Sequence, residues 1–457
     1  MLRNTLLLKS LSIGCLILLL MVPLSMIRSV VQERNGYQQQ TLWDIANSWT
    51  GDQRIIAPMI LLPYRQRYSE KVHDSGGRYV NIEKIRVAYR ILPAETLNIT
   101  SDVATQLRRR GIYSVPVYET TIAMTGRFEP DAIKELEQSS KGFVGWNTPS
   151  VILGIQDLRG IGASPALQFQ DKTLAFRPGS RLSSLGNGIH ANLTDIDLSA
   201  NMPFTLNFTL RGSQQLNFAP IAGNATLAMT ADWLHPQFGG RFLPVERTIT
   251  DSGFTARWEV SAFSTQATEF IDGCSTNRCD GVEQRILGVK FIETVDVYTR
   301  TDRATKYGIL FVLLTFVAFL LTETLTKRRL HAVHYGLVGA ALSIFYLLLI
   351  SMAEHIGFGR AYLVATLACT TLIGIYLNAV FGDRRLAGVY ATAIATLYGM
   401  LFMILRSEDY ALLMGSLLLF MVLALIMLTT RRLDWEQVAR TMARPTFTAS
   451  DTATANE

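Results

Sequence analysis

The sequence lacks the local signatures of the common enzyme classes. Its 457 residues contain no Gly-x4-Gly-Lys phosphate loop, no His-Glu-x-x-His motif, no Gly-x-Ser-x-Gly turn and no convincing dinucleotide fingerprint. These absences remove the usual indications of a nucleotide-binding enzyme, a zinc peptidase or a serine hydrolase, although many hydrolase sites carry no local motif. We therefore expect no cofactor and no metal, and no motif identifies a catalytic residue.

Charge is also scarce. Only 18% of the residues are charged, below the usual quarter for globular proteins, and the mean hydropathy is +0.22. The formal net charge is +6, but much of the basic excess flanks apolar runs, which argues against a nucleic-acid partner. Arg108, Arg109 and Arg110 form the one basic cluster of the central part, and we interpret it as a solvated face.

Cysteine is limited to four residues. Cys15 and Cys369 lie inside apolar runs, where a small buried side chain is the simplest interpretation. Cys274 and Cys279 lie close together in a polar stretch, and a disulfide is expected if that stretch is outside the cytoplasm. Two thiols without nearby His or Cys partners do not make a closed zinc site.

Long apolar runs are abundant at both ends of the chain. A helix needs about 20 apolar residues to cross the hydrocarbon core of a bilayer. Six stretches meet this requirement, at about 6–27, 307–326, 334–352, 361–381, 386–405 and 410–428. The sequence therefore predicts a multi-pass membrane protein in which a bundle of α-helices accompanies a large intervening region.

The first apolar stretch could instead be a cleaved signal peptide. No small-x-small cleavage site follows it, however, and its apolar run is long. Gly14 and Cys15 suggest a lipoprotein site, but the strongest apolar run follows Cys15 rather than preceding it. We interpret the stretch as an uncleaved anchor.

Basic residues predict the orientation of the spans. They fall on one side of the membrane if there are six spans: Arg3, Lys9, Lys327, Arg328, Arg329, Arg384, Arg385, Arg431, Arg432 and Arg440. Both termini are then cytoplasmic. The predicted organisation is an anchor at 1–28, a domain outside the cytoplasm at 29–306, a five-helix bundle at 307–430 and a cytoplasmic tail at 431–457.

Alternation of apolar and polar residues dominates the predicted outer domain. It is clearest in three runs: Val80, Ile82, Ile85, Val87, Tyr89 and Ile91; Leu206, Phe208 and Leu210; Phe254, Ala256, Trp258 and Val260. A period of two residues predicts half-buried strands. We expect antiparallel sheets packed as a sandwich, with one short helix at 130–138.

Candidate functional residues lie mainly in the apolar runs. Ser351, Glu354 and His355, at the outer end of the third stretch, are either a water-interface group that caps the helix or binds headgroups, or a proton or metal site. Glu323 is four residues before Lys327 and is expected to pair with it, with a transport role as the alternative.

A second set of candidates lies around a tryptophan in the outer domain. Trp233, His235 and Arg241 occupy a loop-rich stretch that also holds Asp232. They could form a binding patch, and structural roles in turns are the alternative.

Several long segments, in order along the chain, carry a family resemblance. They include Ala231-Asp-Trp-Leu-His-Pro-Gln-Phe-Gly-Gly240 and Arg432-Leu-Asp-Trp435, together with 210–220, 241–244, 253–258, 303–310, 345–358 and 409–416. In these segments the chain resembles the inner membrane protein CreD family, also called cell envelope integrity proteins. The resemblance covers nearly the whole chain.

The resemblance implies an inner-membrane protein with a periplasmic domain, a link to envelope integrity and stress response, and altered colicin tolerance on overproduction. It carries over no catalytic residue. Our expectation is a non-enzymatic envelope factor whose partners are the lipid bilayer and periplasmic proteins, peptidoglycan or lipids. The alternatives are a membrane hydrolase or metal-dependent enzyme that uses Glu354 and His355, and a transporter or lipid-handling protein.

Overall fold

The computed structural model describes residues 4–73, 79–292, 297–326, 330–407 and 411–431. The chain divides into two compact units. One, the helical unit, comprises Met1–Gln38 and Val295–Glu457; the other, the β-rich unit, comprises Gln39–Thr294. The helical unit is thus built from both ends of the chain, and the β-rich unit is inserted between them. Hydropathy predicted domain boundaries at 28/29 and 306/307. The boundaries of the two compact units lie at 38/39 and 294/295, so the β-rich unit is shorter at each end than predicted.

The described helices are α1 Asn4–Trp49, α2 Pro130–Ser139, α3 Ala262–Thr265, α4 Ala267–Ser275, α5 Val297–Lys306, α6 Gly308–Thr326, α7 Ala332–Ile356, α8 Phe358–Phe381, α9 Arg384–Arg406 and α10 Ala411–Thr430. Each of the six predicted membrane stretches falls on one of them. The helix predicted at 130–138 is confirmed as α2.

Five helical segments of the described residues are long and apolar enough to cross a membrane, and a sixth, Leu413–Leu428 of α10, is shorter. The prediction of several apolar helices with a large β-rich region is confirmed. α1 is longer than the predicted stretch at 6–27: it has 46 residues and contains Pro23. A helix that leaves the bilayer can continue wherever its residues favour helix, so hydropathy marks where the apolar part ends and not where the helix ends.

The described strands are β1 Gln53–His73, β2 Tyr79–Arg110, β3 Tyr113–Phe128, β4 Phe143–Trp146, β5 Ser150–Ile155, β6 Ala166–Phe169, β7 Lys172–Ala175, β8 Arg177–Pro178, β9 Gly188–Asn192, β10 Met202–Ser213, β11 Gln215–Ala219, β12 Ala222–Ala231, β13 Pro236–Gly240, β14 Glu246–Thr250, β15 Gly253–Ser261 and β16 Leu287–Phe291. They lie in the β-rich unit, and hydrogen bonds connect them into one continuous sheet system.

Strand pairing departs from the predicted antiparallel sheets in two places. Most neighbours are antiparallel, but β1 pairs with β11 and β2 pairs with β12 in parallel. Parallel neighbours need a long crossover, and more than 100 residues separate the members of each pair. Local alternation gives the period of a strand but not its direction relative to a distant partner, so the expectation of antiparallel sheets was wrong for these two pairs.

The long strand β2 contributes to two groups of strands. Up to Pro93 it pairs with β1, and from Ala94 onward it pairs with β12 and β3. Strands that pass from one sheet to another in this way form the corners of packed sheets. Buried apolar residues from both groups form one core, which includes Ile60, Phe218 and Trp258.

Two of the three alternating runs are half-buried as predicted. In β10 the residues Leu206, Phe208 and Leu210 are buried while Asn207 and Arg211 are exposed. In β15 the residues from Phe254 to Trp258 alternate in the same way. A strand with one face on the core shows this alternation because successive side chains point to opposite faces.

The third alternating run forms a strand but is not half-buried. From Tyr79 to Val87 every residue of β2 is exposed, and so are most of the residues opposite them on β1. We call this segment of β1 and β2, residues 65–73 and 79–87, the arm; at its base a third strand, β4, also pairs with β1 at Arg65 and Gln66. The predicted burial was wrong there because a ladder needs only its partner strand, whereas burial needs another layer to cover it.

Candidate functional site

The C-terminal end of α7 holds the first group of predicted site residues. Ser351, Glu354 and His355 lie in the last two turns of the helix. The helix ends at Gly357, whose φ of 80° is readily adopted only by glycine, and α8 begins at the next residue. This tight corner fixes the position of Glu354 at the helix end.

Glu354 points into the helical unit. Its side chain is only 12% exposed, and the hydroxyl of Tyr298 donates a hydrogen bond of 2.8 Å to its Oε1. Arg34 of α1 brings its Nε to 4.0 Å from the same oxygen. Three helices, α1, α5 and α7, therefore meet around one carboxyl group, which accepts a hydrogen bond from a hydroxyl and lies within ion-pair distance of a guanidinium group.

A second carboxylate links α1 to α5. Asp302 accepts a hydrogen bond of 2.7 Å from Lys306 one turn further on, and its Oδ1 lies 3.6 Å from Nε of Arg28. Arg28 and Arg34 are both about half exposed, so each ion pair contributes little to stability by itself. Together they give two arginines of α1 an acidic partner in the helical unit.

The structure does not bring Glu354 and His355 together. Ser351 and His355 are four residues apart and share one face of α7, and both are exposed. Glu354 lies on the neighbouring, inward face. Among the described residues no group of three His, Cys, Asp or Glu side chains could hold a metal ion. A site that combines Glu354 and His355 on one substrate would therefore need a rearrangement of the helix end.

Glu323 is a buried carboxyl group in α6. It is 3% exposed, and the hydroxyl of Tyr335 donates a hydrogen bond of 3.4 Å to its Oε2. The hydroxyls of Thr322 and Tyr390 contact each other beside it, and that of Tyr390 also donates to the carbonyl of Ala318 at 2.8 Å. Lys327, its predicted partner, lies outside the described residues.

The buried tyrosines of the helical unit were missed by the sequence reasoning. Tyr335, Tyr346, Tyr362, Tyr390 and Tyr398 are at most 6% exposed and lie on α7, α8 and α9. The hydroxyl of Tyr362 donates to the carbonyl of Tyr398 at 2.7 Å. A signal was available, because hydroxyls in apolar spans need partners and so tend to face other helices.

Trp233, His235 and Arg241 do not converge. The indole Nε1 of Trp233 donates to the carbonyl of Ile292 at 3.1 Å, which ties the loop before β13 to the end of β16. His235 and Arg241 flank β13 at opposite ends, and both side chains are exposed. Asp232 accepts hydrogen bonds from the backbone and hydroxyl of Thr105, at 2.8 and 2.7 Å. These contacts are those of a structural turn.

Cys274 and Cys279 form a disulfide that closes a short loop after α4. The loop contacts the turn at 183–185: Sγ of Cys279 lies 3.1 Å from Oγ of Ser184, and Oδ1 of Asn277 accepts from Oγ of Ser183 at 3.0 Å. The disulfide therefore holds a connection between distant parts of the β-rich unit. Cys15 is exposed on α1, and Cys369 is buried in α8.

A buried polar group lies at the start of β1. The amide of Gln53 is fully buried and donates to the carbonyls of Asp157 and Arg211, at 3.0 and 2.8 Å. Burial raises the pKa of the neighbouring Asp52 above its usual value, although the charge of Lys290 opposes this shift. Burial likewise raises the pKa of Tyr118, whose hydroxyl donates to the carbonyl of Gln215 at 2.6 Å. These contacts anchor the strand.

The chain has apolar helices at both ends and a β-rich unit inserted between them, and its helical unit holds carboxylates against arginine and tyrosine. These features define a multi-pass membrane protein. Residues 5–436 match the family described as Inner membrane protein CreD. The chain is 33% identical over 438 residues to the Inner membrane protein CreD of Escherichia coli K12, and the match covers 95% of each chain. The chain belongs to the CreD family and is a multi-pass protein of the inner membrane.

A likeness to a solved structure is much weaker. An M1 zinc metallopeptidase from Deinococcus radiodurans aligns with a TM-score of 0.18 and 8% identity, over 37% of this chain and 39% of that one. A similarity of that size carries no argument about fold or activity.

Proposed function

We propose that this protein is a non-enzymatic envelope factor, whose membrane helices anchor a β-rich domain that contacts envelope partners in the periplasm. The insertion of the β-rich unit, Gln39–Thr294, between two parts of the helical unit carries the proposal. Because both of its ends continue into the helical unit, the domain is tethered twice. A doubly tethered domain is suited to a fixed position at the membrane surface rather than to free diffusion.

The distribution of basic residues supports the orientation. With six spans, formed by α1 and α6 to α10, the clusters Lys327–Arg329, Arg384–Arg385 and Arg431–Arg432 lie on the same side as Arg3 and Lys9. The positive-inside rule makes that side cytoplasmic and places the β-rich unit outside it. A disulfide between Cys274 and Cys279 fits an oxidising compartment.

Reporter fusions test the orientation. A periplasm-specific phosphatase fused near residue 200 of the full chain should be active, and a cytoplasm-specific reporter at the same site should not. The same pair of reporters at the C-terminus should give the reverse result. Activity of the fusion near residue 200 only in the cytosol would overturn the proposal.

A gene deletion tests the envelope role. We expect the deletion strain to show raised permeability to a large dye under envelope stress, and the intact gene supplied in trans should restore the barrier. Unchanged permeability under every envelope stress tested would contradict the role even if the orientation were correct.

The enzyme alternative has a separate test. If Glu354 were catalytic, a Glu354→Gln gene supplied in trans would fail to restore the barrier of the deletion strain even at normal protein level. Because Glu354 is held by Tyr298 and Arg34, we instead expect Glu354→Gln and Tyr298→Phe to act in the same way, by lowering the stability of the helical unit. His355→Gln, on the exposed face, is the matched control and should have no effect.

A further inference from the structure

The arm of the β-rich unit is the largest part of the described β structure that no other layer covers. Its two strands pair from Arg65 opposite Val87 to His73 opposite Tyr79, over nine residue pairs. Because β4 also pairs with β1 at Arg65 and Gln66, the two-stranded part begins at Arg67 opposite Ile85. At the rise per residue of a strand it is roughly 20 Å long. Isolated two-stranded hairpins are marginally stable in water, so a bare arm of this length indicates a role beyond folding.

Large apolar side chains are exposed on both faces of the arm. Directly opposite residues share a face, so Val80 and Ile82 lie on one face with Val72, while Tyr79 and Ile85 lie on the other. The exposed fractions are 71% for Tyr79, 61% for Ile85, and 45% and 43% for Val80 and Ile82. Clustered exposed apolar residues mark interaction sites.

The arm is also basic. Its two strands contain five Lys or Arg and two Glu, and Asp74 and Arg78 of the connecting segment cancel, which gives residues 65–87 a net charge of +3. Each glutamate is paired across the strands, Glu70 with Lys84 at 2.8 Å and Glu83 with Arg67 at 3.8 Å. Arg65, Lys71 and Arg86 have no acidic partner among the described residues, so the arm presents an uncompensated positive charge.

We propose that the arm docks into the headgroup region of an anionic phospholipid bilayer. This inference rests on the proposed function, because it names one partner of the periplasmic domain. Three cations without acidic partners complement anionic headgroups. A protein partner on one face would leave the apolar residues of the other face in water, whereas the headgroup region surrounds both faces. A second copy of the arm carries the same charge and is repelled.

Flotation of vesicles tests the proposal with the full chain. The protein is reconstituted into phosphatidylcholine nanodiscs and mixed with vesicles of phosphatidylcholine alone or of phosphatidylcholine with phosphatidylglycerol. We expect nanodiscs that carry the protein to float with the anionic vesicles and not with the zwitterionic ones. Empty nanodiscs should not float with either. The binding should weaken as the salt concentration rises, because the charges are exposed.

A charge variant and a matched control locate the contact. Arg65→Gln with Lys71→Gln removes two charges from the arm, and Arg109→Gln with Arg110→Gln removes two from the opposite end of β2. Each basic residue near an anionic surface contributes roughly five-fold to binding, so the arm variant should bind about 25-fold more weakly. The control should bind like the unchanged protein.

An apolar variant tests insertion separately. Val80→Ser with Ile82→Ser should also weaken flotation, because these exposed side chains would no longer enter the headgroup region. Both residues lie outside the core, so the thermal unfolding of the β-rich unit should stay unchanged, and this measurement guards against misfolding.

The proposal would be overturned by no flotation with anionic vesicles, by equal flotation with zwitterionic vesicles, or by an equal loss of binding in the control variant. Retention on peptidoglycan sacculi without vesicle binding would also overturn it and assign the arm to a polymer. The reporter fusions do not depend on these results, so a failure of the arm proposal and a failure of the proposed orientation are distinguishable.

Discussion

The two halves of the β1–β2 pair share one hydrogen-bond ladder but differ in how far their side chains are buried. In the half near the start of the ladder, the β1 residues from Met59 to Tyr64 are buried on both faces. In the arm, most residues of the same two strands are exposed on both faces. The backbone pairing is continuous from one half to the other, so the ladder does not determine burial.

The comparison shows which sequence signal carries information about burial. The buried half of β1 is a nearly continuous apolar run, which is typical of a strand covered on both sides. The exposed half of β2 alternates, but the residues opposite it on β1 include Arg65, Arg67 and Lys71. Alternation on one strand shows that one of its faces is apolar. Whether that face can join a core depends on the residues of the partner strand beside it.

The largest expected effect on stability comes from replacing an isoleucine in each half of the β1–β2 pair by alanine. Ile60→Ala, in the buried half, should lower the free energy of unfolding by about 2–5 kcal/mol, because the residue is fully buried and leaves a cavity. Ile82→Ala, in the arm, should change it by less than about 0.5 kcal/mol. Denaturant titration of the full chain in detergent measures both. Equal losses would show that the arm is covered.

The next effect concerns close packing beside the buried half of β2. A Cβ added at Gly126 would lie 2.2 Å from the backbone oxygen of Thr96, which cannot move aside. Gly126→Ala should therefore destabilise the β-rich unit by about 1–3 kcal/mol. Gly239→Ala is the control, because no atom lies within 4 Å of its added Cβ. The measurement is the thermal unfolding temperature of the two variants. A Gly126→Ala protein as stable as the unchanged protein would contradict the described packing.

A buried and an exposed carboxyl group, those of Glu354 and Glu70, should also differ in their effect on stability. Tyr298→Phe removes the hydroxyl donor of the mostly buried Glu354 and should destabilise the helical unit by about 1–2 kcal/mol. Glu70→Gln breaks an exposed pair with Lys84 in the arm and should leave unfolding unchanged. The measurement is the unfolding temperature in one detergent. A large loss from Glu70→Gln would mean that the arm is held in place by its charges.

The smallest effect is a pH dependence at the start of β1. Burial raises the folded-state pKa of Asp52 above its unfolded value, so the ionised form is the one that the fold disfavours. The resulting loss of stability is absent below the unfolded pKa and complete above the folded pKa. Asp52→Asn should therefore raise the denaturation midpoint at neutral pH and have no such effect in strong acid. Asp197→Asn, at a fully exposed carboxyl group whose pKa is lowered by Ser199, should not reproduce the gain.

Parts of the candidate site could be predicted from the residues and parts could not. The sequence indicated that Glu354 and Glu323 deserve explanation, because ionisable groups are disfavoured in apolar spans. It did not indicate their partners. Tyr298 is 56 residues from Glu354 and Arg34 is 320 residues away, and no local spacing connects groups so far apart.

The amino-acid sequence by itself determined the apolar helices, the strands of the inserted region and the family, because hydropathy and the period of two are properties of consecutive residues. Tertiary structure decided the parallel pairing of β2 with β12, the bare faces of the arm and the partners of each buried carboxylate. These depend on which distant segment covers a surface, and a local pattern contains no information about that segment.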